Sequence, residues 1–422
     1  MMQSPFPLEL ELGMRYYSSN TPGIGGQLRT EPEDFLVEEV PLPYGDEGSH
    51  LLVRLTKRNW ELQRAVKEIA KRLGVSHRRI GWAGTKDKNA VTSQIISIYG
   101  VTPEAVEAVH LSEIELAVVG RAKESLALGA LEGNRFEIVI RECDQDELAE
   151  RVQAVSSTVA EGIPNYFGLQ RFGVTRPVTH LVGEQILQED YEGAVMTYVG
   201  NAYPYESENA RQARSRFTET RDVREALAAY PVQMTYERAM LHHLAVHPGD
   251  YQGALQVLPP KLLSMMVSAF QSFLFNSVLS RRLDEGFTLH EPIPGDRLLF
   301  PNGREDTVTE RNRSTAAQHV RRGRCRIALF IPGSEPAALH GRMDEMMQEI
   351  LKEREIDAAR FERAAGFVRT RYAGALRAIA LSADVIAEVQ DASTRLRFTL
   401  PPGHYATTVC REYMKADPYR MI

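Results

Sequence analysis

Short apolar runs with a two-residue period dominate the first third of the chain and return at its end, while longer runs of helical period fill the middle. Asp34-Phe-Leu-Val-Glu-Glu-Val40 and Leu51-Leu-Val-Arg-Leu55 read as strands, separated by the turn residues Pro41, Pro43, Gly45 and Gly48. Leu62, Val66, Ile69 and Leu73 recur at helical spacing and predict an amphipathic helix near Glu61 to Leu73, stopped by Gly74. Val91 to Tyr99 is β-branched and strand-like, and Thr102-Pro103 opens a short helix, because proline fits the first helical position. In Asn134-Arg-Phe-Glu-Ile-Val-Ile140 the side chains of Phe136, Ile138 and Ile140 share a face, with Asn134 at its start. Asp144 to Glu161 reads as helix.

After Gly162 the texture changes. Residues from about Pro164 to Arg371 carry helical patterns, with long runs such as Met343 to Ala365 and loops marked by Pro and Gly. Strand character resumes at Ala375 to Leu381 and Thr394 to Leu400, before a short helix after Gly403. A β-rich start and end around a helical middle predict an α+β protein in which one domain, 1–163 plus 373–422, is interrupted by an inserted, mostly helical domain, 164–372.

Composition adds limits. The 422 residues are 43% hydrophobic and 25% charged, ordinary for a globular chain of this length. No apolar leader with a cleavage site opens the sequence, and the most apolar stretch, Leu262 to Leu279, is interrupted by serines, Gln271 and Asn276, so it reads as a buried helix and no membrane partner is expected. Cys143, Cys325 and Cys410 lie far apart without metal spacing, which suggests structural thiols in a reducing cytoplasm. The net charge of −6 weighs against nucleic acid, but Arg54 to Lys88 holds eleven Lys or Arg against three acids. Such a block suits phosphate contact, or else is a solvated helix face.

The segment Gly81-Trp-Ala-Gly-Thr-Lys-Asp-Lys-Asn-Ala-Val-Thr-Ser-Gln94 sets one carboxylate, Asp87, between Lys86 and Lys88. A carboxylate in cationic surroundings is a structural ion pair or an ionised group held for chemistry. If the segment is extended, both lysines point away from Asp87, toward phosphate, and another cation must serve the carboxylate. Other motifs are decoys. His243 and His247 lack the glutamate of a zinc protease, Gly23, Gly25 and Gly26 precede a strand, and no phosphate-binding P-loop is present.

Five segments stand in order: Arg29-Thr-Glu-Pro-Glu-Asp-Phe-Leu-Val-Glu38, the Asp87 segment, Gly133-Asn-Arg-Phe136, Gly162-Ile-Pro-Asn-Tyr-Phe-Gly-Leu-Gln-Arg-Phe-Gly173 and Leu400-Pro-Pro-Gly-His-Tyr-Ala-Thr-Thr408. Together they closely resemble the tRNA pseudouridine synthase D family over nearly the whole chain. The resemblance implies a mixed-sheet pseudouridine synthase catalytic domain with a family-specific insertion, a cleft between them for RNA, and isomerisation of uridine to pseudouridine. It implies Asp87 as the catalytic aspartate, acting as nucleophile or by a glycal route. Phe136 would stack on the base, Asn134 read it, and Phe35 and Tyr405 surround it, although periodicity alone favours core packing for Phe136. Arg29 stands where the family carries a basic residue, often lysine, and is either the partner of Asp87 or a surface charge. Lys86, Lys88 and Arg171 are phosphate candidates; the aromatics around Arg171 read as structural. Tyr405 departs from the phenylalanine usual there. The implied substrate is tRNA, uridine 13 first, with uridine 35 or a non-catalytic RNA-binding protein as alternatives and an RNA glycosidase or nuclease as a rival. No cofactor, nucleotide or metal is implied, and a monomer is expected.

Overall fold

The structure, a computed structural model, describes residues 1–335 and 339–421. It divides into two compact units, Ser18–Ile163 with Ser382–Ile422, and Met1–Tyr17 with Pro164–Leu381. Against the expected division, residues 1–17 and 373–381 fall in the second unit. Main-chain chemistry accounts for both. Asn276 Nδ2 donates to Leu12 O (3.0 Å) and Ser280 Oγ to Gly13 O (2.6 Å), and Ala375–Ala378 pairs as a strand with Arg326–Ile331.

The first unit runs β1 (Gly25–Gln27), β2 (Phe35–Pro41), β3 (His50–Arg58), α1 (Leu62–Arg72), β4 (Ile80–Trp82), β5 (Val91–Tyr99), β6 (Ile114–Ala122), β7 (Leu131–Cys143), α2 (Leu148–Glu161), β8 (Ile386–Gln390), β9 (Ser393–Leu400) and α3 (Ala406–Met414). The nine strands form one sheet in the order β8-β9-β7-β2-β5-β3-β6, with β1 beside β7 and β4 beside β5. The sheet is mixed because β2 and β5 run parallel while their other neighbours are antiparallel. The strands returning after the insertion, β8 and β9, complete it, Leu396 opposite Ile138 and Phe398 opposite Phe136.

The helix predicted at Glu61 to Leu73 forms as α1. Glu61 caps it by accepting from Gln63 N (2.9 Å) and Arg64 N (2.7 Å), and its apolar face, Leu62, Val66 and Ile69, is buried against Val53 and Leu55 of β3 and Ile96 and Ile98 of β5. Each such aliphatic side chain contributes about 1.5–3 kcal/mol of burial free energy. α3 is buried along its whole length, and Tyr413 shares a hydrogen bond with Ser156 of α2 at 2.8 Å.

One edge of β5 is shared by two strands. β2 pairs with Val91–Ser93 and β4 with Ile96–Ile98. Neither strand pairs with Gln94 or Ile95, and residues 83–90 loop out of the sheet at that break.

In the second unit the helix Pro260–Asp284 is central. It is long and apolar enough to cross a membrane by composition, but most of its apolar window is buried. The Asn165 to Gly173 string packs against it. Phe167 N donates to Asn276 Oδ1 (2.8 Å), Tyr166 OH bonds Ser280 Oγ (2.7 Å), and Asn165 Nδ2 donates to Ala378 O (2.8 Å). The Arg377 guanidinium lies 3.9 Å from the Phe167 ring centre. The three cysteines are buried free thiols.

Candidate functional site

The loop leaving the break in the sheet is held by side chains on the inward phase of three strands. On β3 that phase reads Leu51, Val53, Leu55, then Lys57; on β5 it reads Thr92, Gln94, Ile96; on β2 it reads Phe35, Val37, Glu39. Gln94 Nε2 donates to Gly84 O at 2.9 Å. Glu39 Oε1 accepts the Ile95 N–H at 3.2 Å, taking the place of the strand missing from that edge. Its other oxygen, Oε2, meets Lys86 Nζ at 2.6 Å, with both side chains nearly sealed from solvent. Gly84 keeps that space open, since a Cβ there would stand 2.8 Å from the Lys86 ammonium. Lys57, fully buried, donates from Nζ to Trp60 O (2.7 Å) and Asp87 O (2.8 Å). Burial lowers the Lys57 pKa to about 8, against the attraction of the Asp87 and Glu61 carboxylates, which raises it.

With Gly84, Lys86 and its own carbonyl held from beneath, Asp87 faces outward. Its side chain is 45% exposed, and Oδ2 lies 3.5 Å from Arg29 Nη2. Arg29 is itself only 5% exposed. It adopts a left-handed φ of 57°, donates from Nη1 to Met421 O at 3.1 Å, and stacks its guanidinium 4.1 Å from the centre of the Phe35 ring. Of the two readings of Arg29, the structure selects the ion pair. A guanidinium suits the place because its flat face can lie on the ring while its edge meets the carboxylate.

From Phe35 the aromatic contacts continue. Phe136 meets it edge-on at 6.4 Å and lies nearly parallel to Phe398 at 5.5 Å. Phe35 and Phe136 are 1% and 7% exposed, so much of the Phe136 ring does pack as core. Asn134 lies two residues away on the same phase of β7, opposite Leu400. Its Oδ1 is among the buried side-chain atoms that make no hydrogen bond, as are Thr92 Oγ1 and Gln94 Oε1. Gly133 is needed beside it, because a Cβ would come within 2.6 Å of Leu400 O. Tyr405, half-exposed, stands at the residue before α3, five residues after β9 ends.

The cations divide. Lys86 is turned inward onto Glu39 and cannot serve as a phosphate contact, which corrects that expectation: the low-dielectric gap beneath the loop demands a counter-charge for the carboxylate. Lys88 is exposed. Arg171 belongs to the second unit, half-buried, with Nε donating to Ser272 Oγ at 2.9 Å. Glu39, Lys57 and Gln94 were not singled out from sequence. Their signal was present as polar residues on the inward phase of otherwise apolar strands. Among the described residues no group of three or more His, Cys, Asp or Glu is placed to hold a metal ion.

The arrangement presents a solvent-facing carboxylate, on a loop hydrogen-bonded from beneath, beside a buried guanidinium and a run of aromatic rings. Such a group can act as nucleophile or base on a flat heterocycle and its sugar. Comparison with known proteins supplies the class to which this mixed-sheet fold belongs. The profile of the family tRNA pseudouridine synthase D (TruD) matches residues 11–413. A protein of Methanococcoides burtonii named probable tRNA pseudouridine synthase D is 39% identical over 433 residues, covering 98% of both chains. One of the same name from Pyrococcus abyssi is 38% identical over 406 residues, 94% of this chain and 98% of its own. A crystal structure of the putative tRNA pseudouridine synthase D from Methanosarcina mazei superposes with a TM-score of 0.83 at 36% identity, covering 99% of this chain and 100% of that one. The chain belongs to the tRNA pseudouridine synthase D family.

Proposed function

We propose that this protein isomerises uridine 13 of tRNA to pseudouridine, with Asp87 as the catalytic carboxylate. The observation that carries the reading is the Asp87 carboxylate itself, exposed at 45% on a loop whose other polar anchors point inward, and paired at 3.5 Å with Arg29. The target nucleotide leaves its stack, because neither C1′ nor C5 is open to a carboxylate while the base is stacked. The base then lies against the Phe136 edge and Tyr405. The Asn134 carboxamide, whose Oδ1 makes no hydrogen bond, supplies an acceptor for the uracil N3–H. Asp87 acts at the sugar C1′ or at the base; the bond to N1 breaks, C5 bonds C1′, the C5 proton leaves and N1 gains one. The change is redox-neutral and balances without a co-reactant.

Phosphates would be met by the exposed basic residues of α1 and the turn after it, Arg64, Lys67, Lys71, Arg78 and Arg79, together with Lys88. These contacts set register without reading sequence. The choice of uridine 13 rests on family resemblance, with uridine 35 as its competitor.

The test is Asp87→Asn incubated with unmodified tRNA. Binding retained with pseudouridine formation lowered at least about a thousandfold is expected for loss of the reacting group. Unchanged turnover would refute the assignment. Chemical mapping of pseudouridine in the product identifies the position, and an intact chain of unchanged mass excludes a glycosidase or nuclease.

A further inference from the structure

Three side chains hold the loop from below, but Lys57 alone among them touches the main chain of Asp87. Gln94 holds Gly84 and Glu39 holds Lys86. The Lys57 ammonium joins Asp87 O to Trp60 O, tying the loop to the turn that leads into α1. Its stem follows Leu51, Val53 and Leu55 on the inward phase of β3, opposite Thr92, so it has no route to solvent. We infer that Lys57 is a positioning residue for Asp87, fixing the main chain from which the carboxylate projects and placing a positive charge beneath it. The inference rests on the reading of Asp87 as the catalytic group.

The geometry gives the size of the effect. An aspartate has only two side-chain torsions, so the place of its carboxylate in the site follows its Cα. A misplacement of about 1 Å at a reacting group costs roughly a hundredfold in rate. Removing the tether lowers kcat by about 10- to 100-fold while leaving tRNA binding within about threefold, because Lys57 is sealed from any ligand.

The charge adds a second readout. The groups facing Lys57 are the Asp87 and Glu61 carboxylates, which keep its proton on, and the Lys86 ammonium, which drives it off. A neutral amine still has two N–H groups and can keep both carbonyls, so deprotonation removes the charge rather than the tether. With burial lowering the pKa to about 8, kcat falls as pH rises through that value.

Lys57→Met and Lys57→Gln are compared with the native protein and Asp87→Asn in single-turnover pseudouridine formation on transcribed tRNA from pH 6 to 10, with tRNA binding measured in parallel. A loss of about 10- to 100-fold in rate, unchanged binding and disappearance of the alkaline fall support the inference. Rates within threefold of native at every pH, with Asp87→Asn inactive, overturn it and leave the role of Asp87 standing. Weakened binding with an unchanged rate also overturns it. An active Asp87→Asn overturns the underlying reading instead. If both Lys57 variants fail to fold, Glu61→Gln decides. Removing that carboxylate moves the alkaline fall to lower pH if Lys57 is its origin, and an unmoved fall sinks the proposal.

Discussion

Replacing Lys86 with Met tests whether this lysine serves the fold or the RNA. Its ammonium lies 2.6 Å from Glu39 Oε2, with side chains 6% and 1% exposed. At an effective dielectric of about 20, that separation corresponds to roughly 6 kcal/mol of attraction. Desolvating the two charges offsets most of it, so the intact pair is worth little net. Removing one partner is different, because Glu39 is then left buried and charged with only the Ile95 N–H for company. The expected cost is about 3–5 kcal/mol. Glu39→Gln in the same chain removes the stranded charge and keeps an oxygen for Ile95, so the double variant should recover about 2 kcal/mol of that loss. Equilibrium urea unfolding of the native, single and double variants measures both values. Binding to tRNA across a salt series supplies the contrast. Lys86→Met should leave the slope of log affinity against log salt unchanged, whereas neutralising Lys67, Lys71 and Lys88 together should reduce it by about two to three, roughly one for each phosphate left without its cation. A Lys86→Met protein of native stability with a slope reduced by about one would refute the reasoning.

Arg29→Lys should keep a charge near Asp87 but lose the flat contact with Phe35, and Arg29→Met should lose both; kcat is expected to fall about tenfold for the first and further for the second, measured by single-turnover kinetics. Asn276→Ala leaves Phe167 N–H, Phe167 O and Leu12 O without their partner in a fully buried site, so urea unfolding should show a loss of about 3–5 kcal/mol. His180, packed against Phe172 and Phe273, is held neutral by burial and by Arg354, with its pKa lowered from 6.5 to about 3. Between those values the unfolded chain binds a proton that the folded one does not. Stability should therefore fall as pH drops below 6.5, by about 1.4 kcal/mol per unit from this group. His180→Leu should flatten that slope in acid-range thermal melts, and an unaltered slope would contradict the assignment.

Much of the architecture was legible in local pattern. The amphipathic run of α1, the alternation of β7 and the return of strands after a helical middle each follow from a period of apolar positions. The unit boundaries were less so. Residues 1–17 join the helical unit through Leu12 and Gly13, whose carbonyls are bonded by side chains of Asn276 and Ser280, far along the chain, and no local signal announces such a pairing. Lys86 shows the same limit. Its position next to Asp87 invited a role at the surface, yet the partner that turns it inward, Glu39, lies on another strand.

The order of motifs along the chain, and the residue types in them, determined by themselves the family, the fold class and which carboxylate to suspect. Tertiary structure alone decided where each charge in that segment points. Asp87 is turned outward and Lys86 inward because β2 and β4 share one edge of β5 and leave a break between them. The polar groups at such a break must find partners from other strands, and that requirement is invisible until the strands are side by side.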